Sequence, residues 1–188
     1  PALAKCAGLS RFIITTRQTL RSFPYVHTIQ LSELNSQSAF DLIKSETGRR
    51  GRPVSLEPAV FEDLYRLVGG LPLAVKLVAA QLTLRPVQDI LDGFRNAKGG
   101  TEGLYRYLYW QTWQMLSDPA KRLLLSFLPS DPEGESLVFL QLMSGIVVEQ
   151  FYQAIQELDQ FSLLEINGDA GDLRYRLHRL TITFLQTD

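Results

Sequence analysis

At the centre of this sequence a glycine pair and a proline precede an almost uninterrupted apolar run, Gly69-Gly70-Leu71-Pro72-Leu73-Ala74-Val75-Lys76-Leu77-Val78-Ala79-Ala80-Gln81-Leu82. A glycine pair commonly ends a helix in a left-handed turn, and proline is favoured at the first position of the next helix because its missing N–H has no partner there. After the proline only Lys76 and Gln81 are strongly polar. The run therefore predicts a helix that is apolar on nearly every side and lies at the centre of a helical bundle.

The composition is that of an ordinary globular protein. The 188 residues are 45% hydrophobic and 21% charged, and 19 basic residues nearly balance 20 acidic ones, for a formal net charge of -1. This balance gives no overall attraction to nucleic acid or to an anionic membrane. The single cysteine, Cys6, excludes an internal disulfide and a cysteine-based zinc site. The sequence shows no signal peptide and no apolar run long enough to cross a bilayer, so we expect a cytoplasmic protein without a membrane partner.

Two short extended segments are predicted before the helical part. Residues 9–17 begin with β-branched and aromatic side chains, which indicates a buried strand, and residues 26–31 alternate apolar and polar side chains. A strand needs neighbours to satisfy its backbone groups, and residues 1–8 predict only a loop or a helix end. Residues 1–31 are therefore interpreted as the remnant of a sheet. An apolar strand edge that is left open recruits further strands, so a homo-oligomer is an expected partner.

Residues 32–100 contain the apolar spacing of four helices. The predicted helices cover residues 35–47, 55–68, 71–82 and 86–94. Asn35 or Ser36 is suited to cap the first of them, and Gly48 to end it. Four helices with short connections predict a four-helix bundle.

Residues 101–188 predict further helices and a β-hairpin. The predicted helices cover residues 104–116, 118–128, 136–143, 149–160 and 181–185. Two extended segments, residues 162–166 and 173–178, flank a turn that is rich in polar residues and glycine. Helices followed by a hairpin are the pattern of a winged helix, a variant of the helix-turn-helix.

A DNA-binding winged helix is one alternative function. Its recognition helix would be residues 149–160, which carry three acidic residues and no lysine or arginine, so a DNA groove would repel it. The inward side chains of this helix are predicted to be Tyr152, Ile155 and Leu158. The basic residues that keep the alternative open are Arg174, Arg176 and Arg179 on the wing. A protein-interaction module that acts through the bundle surface is another alternative.

Three motifs then resemble those of one known family. Residues 10–17, Ser-Arg-Phe-Ile-Ile-Thr-Thr-Arg, resemble a sensor strand that ends in an arginine, here Arg17. Gly70-Leu71-Pro72-Leu73 matches a GLPL motif, and Leu177-His178-Arg179 falls where the family has Met-His-Asp. In this order they resemble the NB-ARC class of STAND nucleotide-switch ATPases, from about residue 9 to residue 185.

The resemblance implies a mainly α fold with small β elements. It implies a helical bundle at residues 32–100, a winged-helix domain at residues 101–188, and, at residues 1–31, the strand remnant of an α/β P-loop domain. In the family the sensor arginine, here Arg17, reads the γ-phosphate of ATP. The proline of GLPL, here Pro72, packs on adenine and ribose, and the histidine, here His178, contacts the β-phosphate of ADP in a closed state. The implied function is a nucleotide-dependent conformational switch in signalling or assembly.

Parts of the family pattern are missing from this sequence. It contains no GxxxxGK[ST] loop to cradle phosphates and no strand that ends in paired acids to hold Mg²⁺. We therefore expect the chain alone to lack ATPase activity and to bind ADP or ATP weakly at best. The expected partner is a P-loop domain of the same parent protein, which would supply the Mg²⁺ site of a slow ATPase. Nucleic acid is not an expected partner. Arg179 stands where the family has aspartate, so a cation replaces a helix-capping carboxylate.

The pattern of residues around His178 gives a partly independent indication that this histidine meets a phosphate. Alternation along residues 173–178 places this histidine on the face opposite the wing's core. The predicted inward residues are Leu173, Tyr175 and Leu177, and the outward ones are Arg174, Arg176 and His178. An imidazole between arginines is suited to meet a phosphate. The simpler interpretations are an exposed histidine near a strand end and, for Pro72, a proline that only starts a helix.

Overall fold

The computed structural model describes residues 29–97, 100–131, 133–169 and 171–187, together with positions 13, 15 and 27. Residues Glu33–Asp188 form one unit, and residues Pro1–Ser32 form another. The described part is mainly helical and includes a small sheet of two strands. The predicted class, mainly α with a small β component, is confirmed.

Nine helices and two strands are present in the described residues. The elements are α1 (Ser36–Arg49), α2 (Pro58–Val68), α3 (Pro72–Leu82), α4 (Val87–Asn96), α5 (Gly100–Met115), α6 (Asp118–Ser126), α7 (Leu137–Ser144), α8 (Val148–Gln160), β1 (Leu164–Asn167), β2 (Arg174–Leu177) and α9 (Arg179–Thr187). Each helix lies within a few residues of the helix that the sequence predicts.

Local capping residues set most of the helix starts. The side chains of Asn35, Ser117 and Ser136 accept a backbone N–H three residues later, at 2.8, 3.3 and 3.2 Å, and so begin α1, α6 and α7. Prolines occupy the first turn of α2, α3 and α6. One predicted end was wrong. Gly48 lies inside α1, and the backbone with positive φ, +68°, follows at Gly51.

Helix α3 is the central helix, as predicted. Eight of its eleven residues are buried, and it packs against α1, α4 and α5. The largest fully buried side chains around it are Leu64, Leu77, Val78, Gln81, Ile90, Leu91 and Leu108. An all-round apolar helix is stable in water only when other helices cover each of its sides, which explains this arrangement.

The corner before α3 requires both glycines, each for its own reason. Gly69 ends α2 with φ +72°, and its N–H donates to the carbonyl of Tyr65 at 2.8 Å. At Gly70 a Cβ atom would lie 1.9 Å from the carbonyl oxygen of Leu34. The Leu34 N–H donates to the Gly70 carbonyl at 2.8 Å. The segment that leads into α1 therefore lies directly against the corner, which leaves no space for a side chain at Gly70.

Helix α6 packs against both α7 and α8, and the hairpin follows α8. Strands β1 and β2 pair antiparallel with Leu164 opposite Leu177. The inward residues of α8 are Phe151, Ala154 and Leu158, whereas Tyr152 is 52% exposed. The predicted inward position of Tyr152 is therefore wrong. Phe151, Ala154 and Leu158 are spaced three and then four residues apart. This spacing follows one side of a helix more closely than the spacing of three and three residues that begins at Tyr152.

Most of residues 9–17 lies outside the described part of the chain. Ile13 and Thr15 are described, neither is in a strand, and Ile13 is 96% exposed. In the other predicted extended segment, positions 27 and 29–31 are described and form no strand either. Ile29 and Leu31 are 75% and 90% exposed. Alternation stabilises a strand only where its apolar face is covered, so this prediction is wrong for the residues described.

In the described part of the chain, no single helix combines the length and the apolar composition that a membrane span requires. Helices α7 and α8 meet the length and composition test only as a pair, and they are bent by 112°.

Candidate functional site

The predicted site residues that the structure describes begin two helices, α3 and α9. Gly70–Leu73 lead into and begin α3, and His178 immediately precedes α9. Arg17 lies outside the described residues. Helix α5 contacts both α3 and α9. The structure therefore connects the two groups of predicted residues through α5.

Two side chains that the sequence analysis missed lie at the start of α3. The carboxylate of Glu33 accepts the N–H of Gly70 at 3.1 Å. The hydroxyl of Tyr105, from α5, lies near the backbone N–H of Ala74 in the first turn of α3, and this N–H acts to lower the pKa of Tyr105. Amides at a helix N-terminus carry partial positive charge, so oxygen atoms are favoured there. Pro72 is exposed, while Leu71 and Leu73 are half-buried against the core.

The Tyr105 hydroxyl is held in its neutral form. Burial raises the pKa of Tyr105, the amide of Ala74 opposes this rise, and the charge of Glu33 adds to it, so the pKa lies above its usual value. A neutral hydroxyl keeps a proton that it can donate to a ligand oxygen. The aromatic run of α5 predicts core packing, but nothing in that pattern indicates this polar contact.

Aromatic contacts continue from Tyr105 along α5 to α9. The ring of Tyr105 stacks on Tyr109 with 6.4 Å between centroids, and Tyr109 stacks on Phe184 of α9 at 5.4 Å. The hydroxyl of Thr181, also in α9, donates to the Tyr109 hydroxyl at 3.1 Å. Burial raises the pKa of Tyr109 to about 12, although the Thr181 hydroxyl lowers it in part. We call Tyr105, Tyr109, Thr181 and Phe184 the aromatic link.

His178 has a structural role that the sequence did not show. Its Nδ1 accepts the backbone N–H of Leu180 at 3.2 Å, and its carbonyl accepts the N–H groups of Thr181 and Ile182 at 2.9 and 3.2 Å. His178 is therefore the N-cap of α9. Because Nδ1 is an acceptor, the neutral imidazole carries its proton on Nε2. This Nε2–H is the group that the half-buried ring can offer to an anion.

Arg174 and Arg176 of the hairpin pair with acidic side chains of the same hairpin. Arg174 pairs with Asp172 at 3.0 Å, and Arg176 pairs across the strands with Glu165 at 2.8 Å. Arg179 is exposed at the first position of α9, where the helix dipole disfavours a cation.

The alternation predicted for the second strand holds only within β2. Tyr175 and Leu177 are buried, while Arg174 is exposed and Arg176 half-buried. Leu173 precedes β2 and is 41% exposed, so its predicted inward position is wrong. The alternation of buried and exposed side chains ends where the pairing of β2 with β1 ends, because only a paired strand holds successive side chains on opposite faces of the sheet.

Two of the three acids on α8 make contacts inside the molecule. Glu157 accepts the backbone N–H and the hydroxyl of Ser117, at 2.7 and 2.6 Å. Asp159 pairs with Arg49 of α1 at 3.1 Å. These acids fix α8 against α6 and α1.

A second polar cluster, centred on Arg50, joins α1 to the end of α8. The side chain of Arg50 is 5% exposed. It donates to the carbonyls of Glu46 and Gln160, both at 2.6 Å, to the Glu46 carboxylate at 2.7 Å and to the Ser162 hydroxyl at 2.5 Å. Burial acts to raise the pKa of Glu46, but the hydrogen bond and charge of Arg50, with Arg49 and Lys76, outweigh it and lower the pKa. Ser162 holds its position with φ +56°.

No family model matches the sequence, and no curated protein matches it either. Within the described ranges, no group of three or more His, Cys, Asp or Glu side chains is placed to hold a metal ion.

Proposed function

We propose that this chain is the regulatory half of a nucleotide-dependent conformational switch of the NB-ARC type. In this proposal residues 32–100 are a four-helix bundle domain and residues 101–188 are a winged-helix domain. The observation that carries the proposal is the aromatic link. It runs from Tyr105, which lies near the first turn of α3 just after the GLPL-like motif, to α9, which His178 caps.

The proposed ligand is ADP or ATP, held together with a P-loop domain of the same parent protein that also supplies Mg²⁺. Pro72 is exposed and offers its ring to adenine and ribose. His178 offers its Nε2–H to the β-phosphate of ADP. Arg17 is assigned to the γ-phosphate of ATP by the family resemblance.

The switch follows from differential affinity. A nucleotide shifts the equilibrium between two arrangements only as far as it binds one of them more tightly. In the proposal the contact of His178 with ADP exists in the closed arrangement alone. Because His178 caps α9 and α9 packs on Tyr109, a change at the phosphate also acts on α5 and, through Tyr105, on the start of α3.

The alternative of a DNA-binding winged helix has less support. The arginines of the wing strand pair with Asp172 and Glu165, so part of their charge is already neutralised. Helix α8 carries acids and no basic residue. A recognition helix of this kind would be repelled by the phosphate backbone.

The gene itself provides the first test. The proposal expects codons upstream of residue 1 to encode a GxxxxGK[ST] loop and then a strand that ends in paired acids. Their absence from the parent gene would overturn the proposal, since the resemblance would then lack the part that binds phosphate.

The second test measures ADP release from the parent protein that carries this chain. His178→Asn keeps an N-cap acceptor for Leu180 but removes the imidazole donor, so it separates the nucleotide contact from helix capping. One lost charge-assisted hydrogen bond is worth about 1.5–3 kcal/mol, so ADP release should accelerate roughly 10- to 150-fold. His178→Ala should show the same effect together with lower stability, and Arg17→Ala should instead blunt the response to ATP. An unchanged release rate in His178→Asn would contradict the role of His178.

A further inference from the structure

We propose that the exposed apolar surface of α7 and α8 is a contact between two copies of this chain. This apolar face consists of Val138, Leu142, Met143, Val147, Val148 and Tyr152, with exposed fractions of 78, 79, 47, 60, 48 and 52%. The inference does not depend on the proposed nucleotide site.

The apolar face is separate from the side chains that build the core. Leu140 of α7 and Phe151 of α8 point inward and are 0% and 1% exposed. Val138 and Leu142 lie four residues apart on α7, and Val148 and Tyr152 lie four residues apart on α8, so each pair shares one side of its helix. Each helix therefore has a second apolar stripe that faces outward. Met143, in the last turn of α7, and Val147, just before α8, are also exposed and lie between the two stripes in the sequence.

The area of the apolar face fits a homodimer of ordinary size. At these exposed fractions its six side chains present roughly 400–500 Å² of apolar surface. A stable interface buries about 800 Å² per partner, and about 65% of a homodimer interface is apolar, or roughly 520 Å² per partner. One apolar face per copy thus supplies most of the apolar area that each half of such an interface needs, and a polar rim completes the interface.

The charge pattern favours a second copy over a different protein. Residues 136–148 contain no charged side chain, and Glu149 is the first charge that follows. In a two-fold symmetric dimer each surface patch meets its own copy, so a charge near the axis meets a like charge. An uncharged apolar face avoids this repulsion. A surface that selects a different protein commonly uses complementary charges, which this apolar face does not offer.

Sedimentation equilibrium of the complete chain between about 1 and 500 µM tests the proposal. We expect a monomer–dimer equilibrium for the wild type. The double variant Val138→Glu with Leu142→Glu should weaken association at least about 100-fold, because four buried charges would oppose one another in the dimer. Leu84→Glu is the matched control, since Leu84 is 51% exposed outside the apolar face and its substitution should leave association unchanged. Circular dichroism checks that the variants fold.

Hydrogen exchange of the wild type gives a second measurement that needs no variant. Amides of residues 137–152 should exchange more slowly at 500 µM than at 1 µM, while those of α2 should not change. A wild type that stays monomeric throughout this range would overturn the proposal. A double variant that dimerises as well as the wild type would also overturn it, because the contact would then lie elsewhere.

Discussion

Removal of the Arg50 guanidinium should destabilise the protein far more than removal of the guanidinium of the neighbouring Arg49. Arg50→Met keeps most of the aliphatic stem but leaves the Glu46 carboxylate, 13% exposed, without the cation that lies 2.7 Å away. Loss of one partner of a buried ion pair costs about 3–5 kcal/mol. Glu46 retains some contact with water, so we expect about 3 kcal/mol. For a chain of 188 residues this corresponds to a fall in melting temperature of roughly 6–12 °C.

Arg49→Met is the matched control for this change. Arg49 also pairs across from α1, but its side chain is 49% exposed and that of Asp159 is 40% exposed. Such an exposed pair contributes about 0–1 kcal/mol. Arg50→Lys keeps the charge and loses the planar fork, so its cost should fall between the two. Urea unfolding followed by circular dichroism at pH 7 measures all three. Equal costs for Arg50→Met and Arg49→Met would refute the reasoning about burial.

The same cluster predicts a dependence of stability on acid pH. The pKa of Glu46 lies below the ordinary 4.5 in the folded protein. The stability that this shift contributes is therefore complete above pH 4.5 and is lost as the pH falls through the lower, folded-state pKa. Glu46→Gln should flatten this part of the acid limb in a series of unfolding curves. A wild-type limb that is as flat as that of Glu46→Gln would show that the carboxylate is not stabilised by Arg50.

Three further predictions concern the centre of the molecule. Gly70→Ala should cost about 3 kcal/mol or more, because its Cβ would lie 1.9 Å from the Leu34 carbonyl, whereas Gly48→Ala, with open space around it, should stabilise α1 by about 0.5–1 kcal/mol in urea unfolding. Tyr109, whose pKa is raised from 10.0 to about 12, contributes stability below pH 10 that is lost as the pH rises through 12, so Tyr109→Phe should flatten the alkaline limb. Gln81 is 0% exposed and its Oε1 has no hydrogen-bond partner, so Gln81→Met should raise the free energy of unfolding by about 1 kcal/mol, and a loss of stability would contradict this account.

The positions of the helices could be predicted because their signals are local. Asn35 and Ser117 cap helices through amides only three residues away, and Pro72 needs only its own missing N–H to start α3. The apolar spacing in α3 and α8 likewise indicates a helix without any knowledge of what covers it. The error at Tyr152 shows the limit of this reasoning, since neighbouring stripes of one helix differ by a single residue.

The extended segment predicted at residues 26–31 failed, for the residues that the structure describes, for a related reason. Ile29 and Leu31 alternate with polar residues, yet both are exposed and neither lies in a strand. A strand depends on partners that are distant in sequence, so its pattern alone does not show that a partner is present.

In the candidate site, too, some features follow from residues that are close in sequence and others from contacts between distant residues. The sequence by itself determined that GLPL begins a buried helix and that a short strand ends close to His178, because both depend on residues a few positions apart. Only the tertiary structure decided that Tyr105 lies near the amide of Ala74 and that Arg50 donates to Ser162. These contacts join residues 31 and 112 positions apart. Contacts of this kind leave no periodic trace in the sequence, since each depends on how separate helices pack against one another.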